Sequence, residues 1–349
     1  MLSDLPIDLP TIWFLLIGVL IVGYVVLDGF DLGAGMLHLF VARTDHERRT
    51  VLASIGPVWD GNEVWLLTAG GALFAAFPIV YATVFSGFYL ALIVLLLALI
   101  VRAVSLEFRS KEPGSRWRAG WDVAFAIASF LPALLLGVAI GNVVRGIPIE
   151  ESGDYMGGLI GLLNPYALLV GLLSVATLAA HGGAWLTLKT NGAAQVRART
   201  AAMRAWIAAV VLWALAGAMT YVEAGASSTH LPAVGEWIAF AIPGAFVATT
   251  VALRVFLARP GRELSAFVAS GLSLAALVGL VGQAIHPNLV PAIGDPGRSL
   301  TIEAAASSEL TLSVMLAIAL IGMPIVVAYT AFVYWQFRGK TIVDDQHGY

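Results

Sequence analysis

Residues 78–106 read PIVYATVFSGFYLALIVLLLALIVRAVSL, and no charged side chain interrupts them before Arg102. The run is longer than the roughly 20 apolar residues that span a bilayer as a helix. It does not alternate apolar and polar residues as a strand of a membrane barrel would. Similar runs recur along the chain. Of its 349 residues, 59% are hydrophobic and 12% charged, with a mean hydropathy of +0.88. A water-soluble domain carries about 25% charged residues, so this surface is built to face lipid. The fold class is an all-α integral membrane protein.

Reading apolar runs between polar breaks predicts nine transmembrane helices. Their approximate bounds are 9–40, 51–75, 78–106, 119–145, 161–188, 199–221, 235–257, 263–285 and 307–337. The segment from Gly70-Gly71 to Phe77-Pro78 predicts the tight turn that separates the second span from the third, because proline lacks the donor a continuing helix needs. The basic residues test this division. With nine spans, all but Arg145 and Arg298 of the 19 Lys and Arg residues fall in one set of loops. By the positive-inside rule that set is cytoplasmic, which puts the N-terminus outside and the C-terminus in the cytoplasm. Merging the second and third spans would scatter the charges.

No loop is long enough to form a domain, so the chain reads as a single transmembrane domain, 1–349. Asp4 and Asp8 stand where a cleavable leader would be positive, and the first run is expected to be a permanent helix. With no cysteine, there are no disulfides, thiolate metal ligands or thiol nucleophiles. A net charge of −3 and the lack of a basic block argue against a nucleic-acid partner.

The acids inside the spans each require an account, since a carboxylate in hydrocarbon costs about 2.5–3.5 kcal/mol on insertion scales. Asp28 and Asp31 lie roughly 14–18 Å from the inner end of the first span at 1.5 Å per residue. They share a stripe with Gly35 and His38, and Gly29 and Gly33 form a GxxxG pair that admits a close neighbouring helix. The second span carries Trp59-Asp60-Gly61-Asn62-Glu63-Val64-Trp65, with Asp60 placed roughly 14 Å from its inner end. Asp122 lies in the fourth span and Glu107 closes the third, beside Arg102 and Arg109. One reading is a proton path open to the cytoplasm, through Asp60, Asn62, Glu63, Asp28, Asp31 and His38. Burial disfavours the charged carboxylate, so protons can be loaded and unloaded. The other reading is structural, with acids paired to Arg102, Lys189 or a bound cation; the close carboxylates Asp28 and Asp31 plus a carbonyl suit a cation, and Asp122 is similar. Trp59 and Trp65 belong to an aromatic belt or wall a pocket beside Asp60. His181 is the one histidine well inside a span, and a satisfied polar residue is its ordinary role. No matched histidine pair for haem is evident, so no haem ligand is assigned to this chain.

Together, Asp28-Gly29-Phe30-Asp31-Leu32-Gly33, the run from Trp59 to Trp65, Gly70 to Pro78, Phe85-Ser86-Gly87-Phe88-Tyr89, Asn164-Pro165 and Ser307-Ser308 before Leu310-Thr311 resemble subunit II of cytochrome bd-type quinol oxidases. The resemblance covers essentially the whole chain. It implies a bacterial cytoplasmic-membrane complex that oxidises quinol at the outer face and reduces dioxygen to water. Chemical protons come from the cytoplasm, which generates a proton-motive force. It also implies two b-type haems and one haem d, all ligated by the obligate partner, subunit I. The expected architecture is two four-helix bundles plus one extra helix, with small accessory subunits and a structural quinone or lipid as further partners. The position of Asp60 matches the mouth of a proton path, and those of Asp31 and Asp122 match an intramembrane cation or proton site. Glu63 stands where some relatives have Gln, which weakens a role for its charge. A proton-coupled secondary transporter and a purely structural scaffold are the competing classes.

Overall fold

The computed structural model describes residues 7–151, 153–223 and 236–343. Asp4, His230, His347 and the first residue of the 235–257 span lie outside the described residues. The helices are α1 (Leu9–Val41), α2 (Asp45–Ile55), α3 (Trp59–Ala76), α4 (Pro78–Gly87), α5 (Tyr89–Phe108), α6 (Ser115–Arg145), α7 (Leu159–Leu162), α8 (Pro165–Lys189), α9 (Gly192–Glu223), α10 (Glu236–Leu257), α11 (Glu263–Ile285) and α12 (Glu309–Gln336). Among the described residues, eight helices are long and apolar enough to cross a membrane: α1, α5, α6, α8, α9, the 240–257 part of α10, α11 and α12. The chain is a multi-pass membrane protein.

Several of the quoted motifs are helix starts. Asp8 caps α1 by accepting a hydrogen bond from the Thr11 amide at 2.7 Å, and Pro10 follows it. Asn164 caps α8 through the Ala167 amide at 2.9 Å with Pro165 as the first helical residue, and Ser308 caps α12. Each satisfies an amide that a helix N-terminus would otherwise leave open in an apolar setting.

The expected 51–75 span is two helices. α2 begins earlier, at a capping box of Thr44 and Glu47, and ends at Ile55. Gly56 and Pro57 then break the chain before α3 starts at Trp59. Gly56 keeps helical backbone, and Pro57 after it has no N–H to continue the helical ladder, so the helix stops there. The pair Gly70-Gly71 makes no turn, since α3 runs through both to Ala76, and Phe77 alone separates it from α4. The 78–106 span is itself divided at Phe88, where α4 gives way to α5.

The two ends of the bundle differ in chemistry. At one end, called here the loop end, β1 (Asn288–Val290) pairs antiparallel with β2 (Leu300–Thr301), and Ile147 bridges to Ala292. Leu9, Trp13, Phe77, Ile147, Leu289 and Leu312 form a shared apolar cluster there. α4 belongs to this end: Ser307 donates to the Ala76 carbonyl at 2.8 Å, and Thr83 donates to that of Gly153 at 2.7 Å. The other end, called the arginine end, carries α2, Arg109, Arg118 and Arg197. There Glu47 accepts from the amides of Arg43 and Thr44 and from Arg197. Partial burial opposes its charge, but these donors hold the carboxyl below the usual range.

α1 is the central helix and packs on α3, α6, α8 and α11, while α8, α9, α10 and α11 contact one another in a ring. The closest approach is α1 on α8. A Cβ on Gly33 would lie 2.0 Å from the Leu178 carbonyl oxygen, and one on Gly182 would lie 2.3 Å from the Gly33 carbonyl carbon. Backbone cannot yield as a side-chain tip can, so Gly182→Ala is expected to cost about 1–3 kcal/mol as overpacking. Thermal denaturation of the purified protein measures this. Gly18→Ala, where a Cβ meets nothing within 4 Å, is the matched control and should leave the midpoint unchanged or slightly raised.

Candidate functional site

Two polar layers lie along α1, one around Asp28 and Asp31 and the other around His38. In the first, Arg102 of α5 reaches α1 and donates to both oxygens of Asp28, Nη1 to Oδ2 at 3.0 Å and Nη2 to Oδ1 at 2.5 Å. Both residues are buried, at 0% and 1% exposure. A bidentate guanidinium–carboxylate pair is the arrangement that best offsets the desolvation of two charges. Glu63 of α3 approaches the same guanidinium at 3.6 Å.

Asp31, one turn on and 1% exposed, has a different environment. Its Oδ2 accepts from Asn62 Nδ2 at 2.7 Å, and its Oδ1 has no hydrogen-bond partner among the described residues. Asn62 also donates to the Leu27 carbonyl at 3.1 Å, and its Oδ1 accepts from the Tyr334 hydroxyl of α12 at 2.9 Å. Asp28 and Glu63 therefore share one guanidinium, and Asp31 makes no ion pair among the described residues. A buried carboxyl without a cation is neutralised by a proton or by a bound ion, because the bare charge is too costly in a low-dielectric interior.

In the second layer the Asp122 carboxylate is saturated. Asp122 Oδ1 meets His38 Nε2 at 2.7 Å and Arg109 Nε at 2.5 Å; its Oδ2 accepts from Arg48 at 2.7 Å and from Arg109 Nη2 at 3.2 Å. Arg109 and Arg118 are bridged in turn by Asp45, at 2.8 and 3.0 Å. With four donors on two oxygens, Asp122 ties α1, α2, α5 and α6 together at the arginine end. Asp31 and Asp122 are not brought into one site; each belongs to its own layer. Among the described residues no group of three or more acids and histidines is placed to hold a metal ion.

Asp60 is exposed in the first turn of α3, so it begins a helix rather than lying deep within one. Its stripe continues through Val64, Leu67, Gly71 and Phe74, all exposed. Trp59 and Trp65 go to different neighbours. Trp59 packs against the cluster of Phe30, Ile55 and Trp185, whereas Trp65 lies over Gly23 of α1 beside Leu20 and Tyr24. Glu107 is exposed, and the ion pairs of Arg102 and Arg109 go to Asp28, Asp45 and Asp122 instead. Sequence reading missed Tyr334 and Arg48. The first looks like one more aromatic at a span end, and the second stood in an apparent loop.

Three of the described histidines, His181, His38 and His286, lie within helices or at a helix end. His181 has both ring nitrogens engaged, Nδ1 with Ser270 at 2.7 Å and Nε2 with the Val26 carbonyl at 2.9 Å, and it stacks on Phe267 at 4.9 Å. His38 is held by Asp122, and His286 sits against Phe14 at the C-terminal end of α11. No two of these face each other with free nitrogens.

The description "Cytochrome bd terminal oxidase subunit II" matches residues 9–337. Cytochrome bd-I ubiquinol oxidase subunit 2 of Escherichia coli K12 is 40% identical over 362 residues, which cover 96% of this chain and 95% of that protein. Cytochrome bd ubiquinol oxidase subunit 2 of Bacillus subtilis 168 is 34% identical over 338 residues, covering 95% and 97%. A chain in the structure of bd oxidase from Geobacillus thermodenitrificans has the same fold, with a TM-score of 0.76 at 18% identity, covering 95% of this chain and 99% of that one. The family-wide match, the identity at near-full coverage and the shared fold agree with the motifs on α1 and α3: the chain belongs to the cytochrome bd terminal oxidase subunit II family.

Proposed function

We propose that this chain is the second subunit of a quinol-oxidising, dioxygen-reducing complex of a bacterial cytoplasmic membrane, and that it carries protons from the arginine end into the membrane. Family membership and the names of the relatives support the oxidase assignment. Haem b, haem d and the redox chemistry belong to the partner, subunit I, in keeping with the two engaged ring nitrogens of His181, deep in α8. When bound there, the haems supply the electron transfer and oxygen chemistry. What this chain's residues do is hold and move protons.

The observation that carries the proton role is Asp31, a buried carboxyl with, among the described residues, one unpartnered oxygen and no ion pair, one turn from the neutralised Asp28–Arg102 pair. Glu63 stands between that pair and Asp60 on α3. The partner docks along the exposed α3 stripe of Val64, Leu67, Gly71 and Phe74, which leaves Asp60 uncovered at the start of the helix. In the membrane, α3 is the ninth span; its 18 residues reach about 27 Å at the helical rise, close to the hydrocarbon thickness. The arginine end faces the cytoplasm. In this arrangement α1, α3, α5 and α6 form one four-helix bundle, α8 to α11 the other, and α12 is the extra helix. A structural quinone or lipid and small accessory subunits occupy remaining apolar surface.

Asp60→Asn tests the path. Oxygen consumption by the purified complex is expected to fall about tenfold, one order below the usual contribution of a positioned proton-transfer group because Asp60 stands at an exposed mouth. Haem content and subunit stoichiometry should stay unchanged. Normal turnover would remove Asp60 from the path, and failure to assemble would favour the scaffold reading. Isolation of the chain from membranes without a haem-bearing partner or haem d absorbance would overturn the oxidase assignment.

A further inference from the structure

Tyr334 has no place in the path described so far, yet its ring is packed on two sides and its hydroxyl bonds Asn62. Its ring is edge-on to Phe30 and Trp185, both with centroids 6.3 Å away. The end of α12 that carries it is stapled to α8. Lys189 donates to the Phe337 carbonyl at 2.5 Å, Lys340 donates to that of Thr190 at 2.8 Å, and the Thr341 amide donates to the Lys189 carbonyl at 2.8 Å. Tyr334 also lines a cleft of about 330 Å³ at the arginine end, together with Ser54, Pro57, Trp185, Lys189 and Lys340. Its hydroxyl thus stands between that cleft and the Asn62–Asp31 pair.

The Asn62 amide can be turned two ways, and its neighbours select one. The Leu27 carbonyl accepts only, so it requires the NH₂ side at 3.1 Å; the Tyr334 hydroxyl supplies a donor for the opposite oxygen at 2.9 Å. In that orientation Asn62 must donate to Asp31 Oδ2, which leaves Oδ1 as the free oxygen. We propose that Tyr334 is a positioning residue which, through Asn62, keeps Asp31 Oδ2 as an acceptor and reserves Oδ1 as the atom that takes up and releases the proton. On loading, an O–H bond forms at Oδ1; on release it breaks and the proton moves on, while the Asn62 bond to Oδ2 persists throughout. This rests on the proton role of Asp31 proposed above. The other charged or titratable groups around that carboxyl are Asp28 and Tyr24 on α1, Glu63 on α3 and Arg102 on α5.

The experiment is infrared difference spectroscopy and oxygen-consumption assay of the assembled complex. The Asp31 carboxyl band is assigned by its loss in Asp31→Asn. In Tyr334→Phe, which keeps the ring packing, that band is expected to shift. Turnover should fall roughly 3- to 10-fold, the effect of losing one neutral hydrogen bond, with haem content unchanged. Lys340→Ala loosens the α12 staple without touching the hydroxyl and should leave the band in place. An unshifted band in Tyr334→Phe overturns the proposal, as does an equal shift in Lys340→Ala, which would make the effect one of packing. Normal turnover in Asp31→Asn would instead overturn the proton role of Asp31 itself.

Discussion

Arg102→Met is expected to destabilise the assembled complex by about 3–5 kcal/mol, the usual cost of removing one partner of a buried ion pair. Most of that cost is the stranded Asp28 carboxylate, which is 0% exposed and receives both guanidinium nitrogens in the native structure. Glu63 would lose its nearest cation as well. The measurement is the thermal midpoint and yield of the purified complex. The double variant Asp28→Leu/Arg102→Met should recover part of the loss, since apolar side chains of similar volume replace a buried pair at little net cost. Arg102→Lys should recover less than the pair's geometry would suggest, because an ammonium cannot bind both carboxylate oxygens in a planar fork. A single variant as stable as the wild type would show that Asp28 finds another partner, and the account of this layer would fall.

Asp31→Asn is expected to lower oxygen consumption on the order of 100-fold, the low end of what a positioned proton-transfer group contributes. The substitution is nearly isosteric and leaves an acceptor for Asn62, so assembly and haem content should be retained. If Asp31 instead holds a structural cation, the variant should lose thermal stability and keep its turnover. The two roles therefore separate in one pair of measurements.

The helical membrane fold was legible because it depends on summed hydrophobicity, which is a property of the chain alone. Element boundaries were less so. Pro57 ends α2 because it lacks the donor a continuing helix needs, but the long apolar stretch around it disguised the break, and Asp60 was consequently read inside a span rather than in the first turn of α3. Gly70-Gly71 looked like a turn; inside an apolar helix with nothing within 4 Å of either, the pair is simply tolerated. The GxxxG pair on α1 did read correctly as a close helix contact, because a missing side chain has the same consequence on any neighbour.

The candidate site divides along the same line. By itself the sequence determined that the chain is a helical membrane protein, that its family motifs lie on α1 and α3, and that Asp28, Asp31, Asn62, Asp60, Glu63, His38 and Asp122 needed partners. Only the tertiary structure decided which partner each obtained. Arg102 neutralises Asp28, four donors saturate Asp122, and Asp31 is left with an amide and an open oxygen. The reason is physical. The cost of a buried charge is set by the residue type, but its compensation is set by groups within about 3 Å of it, and those come from helices far apart in the chain. Tyr334, 272 residues from Asn62, carries no mark of that role in its local sequence.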